Sequence, residues 1–199
     1  MQLFDHHLTL HCPANQKPTA DALWLAALGP TLGPTEVLFE AGLGTGVVAL
    51  TLLRRCPGAI AHGLECQPDL IAYARTNAQA NPWASGRLIA HHGDIATIPA
   101  AIPQAHHSIA NLPFYPPQHG SLTTQALRAQ AWGLGVTPLT AWLDGLSACT
   151  QPGGTITLLA HRDQLPAILT HRGQQVCRLV WLQSHPTRPP KRVVVTLVC

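Results

Sequence analysis

The sequence predicts an α/β protein whose central, mostly parallel sheet of seven strands carries helices on both faces. The first observation behind this prediction is that short apolar runs alternate with helical patterns along most of the chain. The second is a Gly-x-Gly-x-Gly turn at 42–46, which follows an apolar run and opens a helical pattern. The third is that the last two apolar runs are separated by a proline-rich turn, which indicates a C-terminal antiparallel hairpin.

Each element is predicted from its apolar periodicity, in chain order. The strands are predicted at 37–41, 59–65, 88–92, 107–112, 154–161, 175–183 and 192–199. The helices are predicted at 19–28, 45–55, 68–80, 121–136 and 138–149, and another begins at 164–169. The stretch 121–136 is polar and interrupted by Gly, and we expect it to border the substrate. Residues that follow the first four strands should share one rim of the sheet, where ligands bind in open α/β folds.

Length and composition indicate one domain that spans residues 1–199. A chain of 199 residues buries about 70% of its unfolded surface in a single core. Charged residues make up 11% and the net charge is +3, which permits an anionic partner without requiring one. The N-terminal residues lack the basic and apolar regions of a secretion signal, and no apolar run reaches the ~18 residues of a membrane helix. We therefore expect a cytoplasmic protein.

Cysteine and histidine spacing gives no indication of a metal site. The six cysteines form no C-x-x-C pair, and the His pairs at 6–7, 91–92 and 106–107 lack a matched partner. We expect buried free thiols and no bound metal.

The glycine turn at the end of the first strand indicates a nucleotide-like cofactor. Gly42 and Gly44 allow a tight turn and a close approach to a ligand, and Gly46 lets the next helix pack near the strand. A dinucleotide site would require a sixth-position glycine where Val47 stands, and Glu40 would place a carboxylate beside a pyrophosphate. S-adenosyl-L-methionine, which is cationic and lacks phosphate, suits Glu40 better. The alternative is a strand-to-helix turn that binds nothing.

Two further acids follow the next strands. Glu65 stands about 20 residues beyond the glycines, where an acid accepts ribose hydroxyl hydrogens in nucleoside-binding folds. Its alternative role is to cap the helix that starts near Pro68. Asp94 ends the third strand and could bind an adenine amino group, or it could simply occupy a turn after Gly93.

The segment Asn111-Leu112-Pro113-Phe114 follows the fourth strand and suggests chemistry on an amino group. The Asn111 side-chain oxygen and the Leu112 carbonyl can accept the two amine hydrogens and aim the nitrogen lone pair at a methyl group. Pro113 stiffens the turn, and the Phe114 ring can stack on a base, worth about 1–3 kcal/mol. Catalysis would then rest on orientation and electrostatics. The alternative is a rigid loop with an incidental Asn.

These residues resemble the [DNS]-[PL]-P-[YF] motif of class I methyltransferases that act on planar nitrogen. Together with the segments 65–70, 74–78, 142–143, 152–155 and 188–193, they are similar to the bacterial tRNA (adenine-N6) methyltransferase group that modifies valine tRNA. The resemblance covers nearly the whole chain and implies a Rossmann-like fold. Leu112 departs from the usual Asn-Pro-Pro-Tyr, Glu40-Ala41 and Leu43 depart from the usual glycine-turn sequence, and Gln16-Lys17 replaces a Tyr-Arg pair.

The resemblance implies an S-adenosyl-L-methionine-dependent N-methyltransferase that acts on adenine N6 in tRNA or other RNA. A protein glutamine-N5 methyltransferase and a non-catalytic cofactor- or RNA-binding relative are the alternatives. Asn111, Leu112, Pro113 and Phe114 are the expected catalytic residues. The expected cofactor-binding residues are Glu40, Ala41, Gly42, Gly44, Thr45, Gly46, Glu65, Cys66, Asp94, Ile95 and Asn111. The expected substrate-binding residues are Phe114, Tyr115, Arg188, Lys191 and Arg192.

The last three belong to a basic cluster at 185–192, in the turn between the two closing strands. Such a cluster can contact RNA phosphates. It can equally be a solvated, proline-stiffened hairpin turn.

Overall fold

The structure is a computed structural model that describes residues 1–4, 7–14, 16–113, 137–171, 175–183 and 185–199. The helix predicted at 121–136 lies outside these residues, and so do Phe114 and Tyr115. The described helices are α1 (Ala20–Leu28), α2 (Val47–Arg55), α3 (Pro68–Ala80), α4 (Leu139–Cys149) and α5 (Leu165–Leu169). Single 3-10 turns occupy Pro82–Ala84 and Arg162–Gln164.

The strands form two sheets. The first is a short pair, β1 (Gln2–Leu3) with β2 (Leu8–Thr9). The second contains β3 (Val37–Ala41), β4 (Ile60–Glu65), β5 (Leu88–His92), β6 (Ala105–Asn111), β7 (Thr150–His161), β8 (Gln175–Leu182) and β9 (Arg192–Val198). Its order is β5-β4-β3-β6-β7-β9-β8, with the first five strands parallel and β9 antiparallel to both neighbours. The predicted seven-stranded, mostly parallel sheet with a C-terminal hairpin is confirmed.

The sheet has an apolar cluster on each face. Leu38 and Phe39 are consecutive on β3 and belong to opposite clusters, because side chains alternate between the faces of a strand. Leu38 packs in the cluster that contains Leu25 of α1 and Leu52 of α2. Phe39 packs in the cluster that contains Leu143 of α4. Helices therefore cover both faces, as the sequence predicts. Of the helices that the structure describes, none is long and apolar enough to cross a membrane.

The largest differences from the sequence prediction are the start of β7 and a pair of short N-terminal strands. Strand β7 begins at Thr150 rather than at 154, since Thr150 pairs with Ala105 and its Oγ1 lies 2.6 Å from Ser108 Oγ in the buried interior. The pair β1–β2 has no predicted counterpart. Its strands have two residues each, and the Asn81 side chain holds them by accepting from Thr9 N and donating to Thr9 O. Both differences come from contacts between residues that are distant in sequence.

The parallel strands bring their carboxyl ends to one rim of the sheet. This rim collects the ends of β3, β4, β5, β6 and β7. Because β9 is antiparallel to β7 and Arg192 pairs with His161, the turn that precedes β9 lies at the same rim. The fold thus places the glycine turn, residues 111–113 of the motif and the start of β9 on one side of the molecule.

Candidate functional site

The glycine turn is built to a fixed shape by its backbone. Gly42, Gly44 and Gly46 have φ values of +73°, +56° and +84°, in the left-handed region that favours glycine. The N–H groups of Gly42 and Leu43 both donate to the Leu64 carbonyl, over 2.8 Å and 2.9 Å. A methyl group on Gly44 would meet no atom within 4 Å, so the space beside this residue is open. The turn is therefore preformed and has room next to it.

Glu65 links the glycine turn to the start of α3. Its carboxylate is 5% exposed, and Oε2 accepts from Gly44 N over 2.8 Å. Its Oε1 accepts from Gln67 N, the N-cap residue of α3, over 3.0 Å. Oε1 also accepts from Gln67 Nε2 over 3.4 Å and from Cys66 Sγ over 3.6 Å, so the acceptor capacity left for a ligand is the second lone pair of Oε2. The contact of Glu65 with the start of α3, which was the alternative role in the sequence analysis, is present. Its contact with a ribose stays a prediction.

Glu40 points into the protein and contacts the start of α2. It is 2% exposed, and its Oε2 accepts from Ala49 N, in the first turn of the helix, over 2.8 Å. Burial raises the pKa of this carboxyl well above its usual value, and the nearby Glu65 adds to the rise. A protonated carboxyl attracts a cation less than a carboxylate does. The structure gives Glu40 a helix-capping contact, and its interaction with a cofactor stays a prediction.

Asp94 forms a turn at the end of β5. Its Oδ1 accepts from Ala96 N over 2.8 Å, and its carbonyl accepts from Thr97 N over 2.9 Å. Burial raises the pKa of the Cys66 thiol to about 12, with smaller contributions from Glu65 and Asp94, so Cys66 is a neutral group between two acids. Ile95 is buried in the apolar cluster below this turn. Asp94 thus has the turn role that the sequence offered as its alternative, and its adenine contact stays a prediction.

Asn111 ends β6 beside the glycine turn, because Ala41 pairs with Ala110. The Asn111 Oδ1 atom is buried and has no hydrogen-bond partner among the described residues. A buried acceptor without a partner costs free energy and requires an explanation, such as a ligand that completes it. Leu112 is buried, and its N–H donates to the Leu159 carbonyl over 3.0 Å. The backbone of Leu112 thus fixes the motif, while the Asn111 side-chain oxygen can still accept a hydrogen bond.

Trp142, on α4, is a site residue that reasoning from individual side chains missed. A methyl group on Gly42 would lie 3.2 Å from Trp142 Cη2, so the indole packs directly against the first glycine of the turn. The Trp142 Nε1 atom is buried and lacks a partner within the described parts of the chain. The sequence offered Trp142-Leu143 only as part of a resemblance. Its proximity to Gly42 arises from the packing of α4 on the sheet.

Gln164 is a second residue that the sequence did not single out. It ends the 3-10 turn after β7, and its side-chain Nε2 donates to the Pro113 carbonyl over 3.1 Å. Its Oε1 accepts from His161 N over 2.9 Å. The predicted helix beginning at 164–169 placed Gln164 in a helix, and the structure instead begins α5 at Leu165. No local sequence signal connects Gln164 with Pro113, which is 51 positions away.

One residue of the basic cluster, Arg192, forms an ion pair within the protein. Arg192 Nε lies 3.2 Å from Asp21 Oδ2, which joins the start of β9 to the first turn of α1. Lys191 accepts from Arg162 N through its carbonyl, which fixes its backbone at the rim. Arg188 and Lys191 are the cluster's remaining predicted phosphate contacts. Arg192 has a structural contact, and its predicted RNA contact is untested.

The N-terminal segment is tied to the glycine turn through Asn77 of α3. The Asn77 Oδ1 accepts from His11 N over 2.7 Å, and its Nδ2 donates to the carbonyls of His11 and Thr45, both over 2.9 Å. Thr45 belongs to the turn. A cleft of about 470 Å³ lies alongside, lined by Met1, Leu10, His11, Cys12, Lys17 and Tyr73.

The structure contains no group of three or more potential metal ligands within its described residues. All six cysteines are free. Cys56 and Cys149 are buried, as expected, but Cys177 is exposed on the outermost strand β8, whose first five residues are all exposed.

No protein-family model matches the chain. Curated relatives carry the name tRNA1(Val) (adenine(37)-N6)-methyltransferase, which confirms the resemblance drawn from the sequence. One, from Porphyromonas gingivalis, is 28% identical over 162 residues, which are 78% of this chain and 62% of the relative. Another, from Vibrio cholerae, is 26% identical over 187 residues, which are 90% of this chain and 74% of the relative. The chain thus spans less than two thirds of the length of the first relative.

Solved structures share the fold. TrmN from Thermus thermophilus superposes with a TM-score of 0.62 at 20% identity, covering 89% of this chain and 46% of that one. The glycopeptide N-methyltransferase MtfA, complexed with S-adenosyl-L-methionine, has a TM-score of 0.63 at 15% identity, covering 94% and 96%. At such identities the likeness establishes the fold, which is the Rossmann-like fold of class I methyltransferases.

Proposed function

We propose that this chain is an S-adenosyl-L-methionine-dependent methyltransferase that methylates an exocyclic amino nitrogen, adenine N6 in tRNA or another RNA. The observation that carries the proposal is the buried, unpartnered Asn111 Oδ1, which lies beside the glycine turn at the end of β6. An acceptor in this position matches an amine that must be oriented toward a cofactor held by the neighbouring strand end. The names of the curated relatives support the same reaction.

The glycine turn and the acids at the strand ends would hold the cofactor. Gly44 leaves open space at the turn, and Glu65 Oε2 keeps a lone pair for a ribose hydroxyl while it fixes the turn. Asp94 retains a carboxylate oxygen besides the one that accepts from Ala96 N. The donor set is rich in carboxyl groups, so it suits a cationic ligand without phosphate better than a dinucleotide. When bound, the cofactor supplies an electrophilic methyl group.

Asn111 and Leu112 would orient the attacking nitrogen. The two amine hydrogens are accepted by Asn111 Oδ1 and by the Leu112 carbonyl, which directs the nitrogen lone pair away from the base plane. These acceptors stabilise the positive charge that develops on the nitrogen, and they are in place before the reaction. The amine would lose its proton to solvent water only after the methyl transfer, so no strong base is required. Phe114 would stack on the base, which must be unpaired or flipped for its amine to be reached.

An RNA substrate fits the position of the basic cluster. Arg188 and Lys191 belong to the turn before β9, which lies at the rim that carries Asn111. Contacts from such side chains to phosphates position a nucleic acid without reading its sequence. The partner is therefore proposed to be tRNA, and a cytoplasmic location follows from that proposal.

The direct test is to incubate the purified protein with labelled cofactor and unmodified tRNA, then to digest the RNA and identify the methylated nucleoside by mass spectrometry. We expect N6-methyladenosine with the wild-type protein and none with Asn111→Ala. Label found on glutamine of a protein substrate would replace the RNA proposal with protein methylation. Cofactor binding without transfer to RNA or protein would indicate a non-catalytic relative.

A further inference from the structure

The parallel ladder between β6 and β7 stops at the residues that the proposed reaction uses. Its last pair is Asn111 with Leu159, and the last bond runs from Leu112 N to the Leu159 carbonyl. In a parallel ladder, successive bonds on one strand involve every second residue. The next bond would therefore run from His161 N to the carbonyl of Leu112. That carbonyl is one of the two acceptors proposed for the target amine.

The His161 N–H is directed elsewhere. It donates to Gln164 Oε1 over 2.9 Å, within the 3-10 turn that follows β7. The same Gln164 side chain donates from Nε2 to the Pro113 carbonyl over 3.1 Å. The Gln164 side-chain amide thus accepts the N–H that would extend the ladder and also holds the Pro113 carbonyl, one residue beyond Leu112.

We propose that Gln164 is a positioning residue that keeps the Leu112 carbonyl available to the substrate amine. It does so by accepting the competing His161 N–H and by fixing the Pro113 carbonyl, which limits the movement of the backbone just beyond Leu112. This inference rests on the proposed amino-group methylation. Gln164 does not touch the reacting atoms, and it acts through the backbone of Leu112 and Pro113.

A purely structural role for Gln164 makes different predictions. If its side chain only capped the 3-10 turn, any side chain that accepts from His161 N would serve equally well. Loss of the cap would then lower thermal stability while kcat stayed constant. A positioning role requires both bonds, so kcat should depend on the donor to Pro113 as well.

The experiment compares three variants of the full-length protein. Gln164→Met keeps the length of the side chain and removes both bonds, whereas Gln164→Glu keeps an acceptor for His161 N and removes the donor to Pro113. Gln151→Met is the matched control, since Gln151 is half-buried at the opposite end of β7, the strand that precedes the 3-10 turn containing Gln164. Methyl transfer to tRNA is measured with saturating cofactor, together with the cofactor Kd and thermal unfolding.

We expect Gln164→Met to lower kcat by roughly tenfold to a hundredfold, as a small misplacement of a reacting group does. The cofactor Kd should stay within about twofold, because the cofactor contacts lie on other strands. Gln164→Glu should fall between Gln164→Met and wild type, and Gln151→Met should match wild type. In Gln164→Met the released His161 N–H should bond to the Leu112 carbonyl, so its amide hydrogen exchange should stay slow, whereas a role confined to capping predicts faster exchange.

Three outcomes overturn the proposal, and they are distinguishable. If the wild-type protein methylates RNA and Gln164→Met has the same kcat, the positioning role is wrong and the proposed function stands. If Gln164→Glu equals wild type while Gln164→Met only loses thermal stability, Gln164 is a structural cap. If the wild-type protein transfers no methyl group to an amino nitrogen, the proposed function fails and this inference fails with it.

Discussion

The rim of the sheet has two halves that differ in how their polar side chains are satisfied. In the cofactor half, formed by the ends of β3, β4 and β5, the carboxyl groups of Glu40, Glu65 and Asp94 each accept a backbone N–H. In the substrate half, formed by the end of β6 and by α4, Asn111 Oδ1 and Trp142 Nε1 are buried without a partner in the described residues. Each acid of the first half already accepts from the backbone, whereas these two buried polar atoms of the second half have no partner in the described residues.

Because of this difference, substitutions in the two halves should affect different quantities: the free energy of unfolding in one half and turnover in the other. A satisfied polar contact stabilises the folded chain by about 1 kcal/mol, whereas a buried group without a partner destabilises it by about 1–3 kcal/mol. Substitutions in the cofactor half should therefore lower the free energy of unfolding. Substitutions at the unpartnered atoms should lower turnover and leave the free energy of unfolding unchanged or higher.

The largest effect is expected for Asn111→Ala. Removing one preorganised group that stabilises developing charge lowers kcat by roughly a hundredfold to a thousandfold. The free energy of unfolding should not fall, because the lost oxygen has no partner in the described structure. Single-turnover methyl transfer and urea denaturation measure the two quantities. If Asn111→Ala were destabilised and kept a normal kcat, Asn111 would be a structural residue like the acids of the cofactor half.

Asn77→Ala removes an asparagine whose side chain is fully paired, and it is therefore the comparison for Asn111→Ala; Asn77 lies on α3 and contacts the glycine turn through Thr45. Asn77 is fully buried, and its side chain bonds to His11 N, His11 O and Thr45 O. Its loss leaves buried groups unpaired, so we expect the free energy of unfolding to fall by about 1–3 kcal/mol. Urea denaturation at neutral pH measures this. Unchanged stability would show that the segment 7–14 contributes little to the fold.

Glu65→Gln should weaken cofactor binding by more than about 1 kcal/mol, since a charged acceptor becomes a neutral amide with one acceptor oxygen. Calorimetric titration with S-adenosyl-L-methionine measures the change in Kd. Asp69→Asn, which removes one exposed carboxylate in the first turn of the adjacent α3, is the control and should bind normally. Binding of NADH in place of the sulfonium cofactor would contradict the assignment of the whole cofactor half.

The basic turn should contribute a smaller, salt-dependent effect in the substrate half. Replacing Arg188 and Lys191 by Ala should reduce the salt dependence of RNA binding by up to about two phosphate contacts. Arg192 is left intact because it pairs with Asp21. A variant with Arg54→Ala and Arg178→Ala removes the same charge elsewhere and serves as the control. If RNA-binding affinity depended on salt equally in the two variants, the basic turn would not contact phosphates and would be a solvated hairpin turn.

The smallest effect is expected for Glu40→Gln and concerns pH. Burial raises the pKa of Glu40 well above its usual value, so the folded state binds a proton that the unfolded state releases above about pH 4.5. The contribution of Glu40 to stability is therefore present at low pH and is lost as pH rises through the raised pKa. Gln keeps an acceptor for Ala49 N and does not ionise. In urea denaturation between pH 5 and pH 8, the variant should lose less stability than the wild type.

The sequence predicted the elements whose signals are local. Strand β3 and helix α3 have the predicted bounds, because apolar runs and helical patterns are read over a few neighbouring residues. The rim could also be predicted, since parallel strands must bring Glu40, Glu65, Asp94 and Asn111 to the same edge. The start of β7 could not be predicted, because it depends on a hydrogen bond between the buried side chains of Thr150 and Ser108.

In the candidate site, even more of the contacts could not be predicted from local sequence. The sequence named Asn111 by its motif, but nothing near Trp142 indicates that its indole covers Gly42, and nothing near Gln164 indicates a bond to Pro113. Both contacts join residues that are far apart in the chain. Sequence patterns also leave open which acids are already satisfied, and this property distinguishes the two halves of the rim.

The Asn77 amide has a consequence for protease sensitivity. It bonds at once to the backbone of His11 and to the carbonyl of Thr45 in the glycine turn. A ligand that tightens the turn therefore also opposes release of the segment 7–14, and by reciprocity release of that segment weakens the ligand. The rate at which a protease cuts near His11 should thus fall as cofactor is added, and the N-terminal segment becomes a reporter of cofactor occupancy.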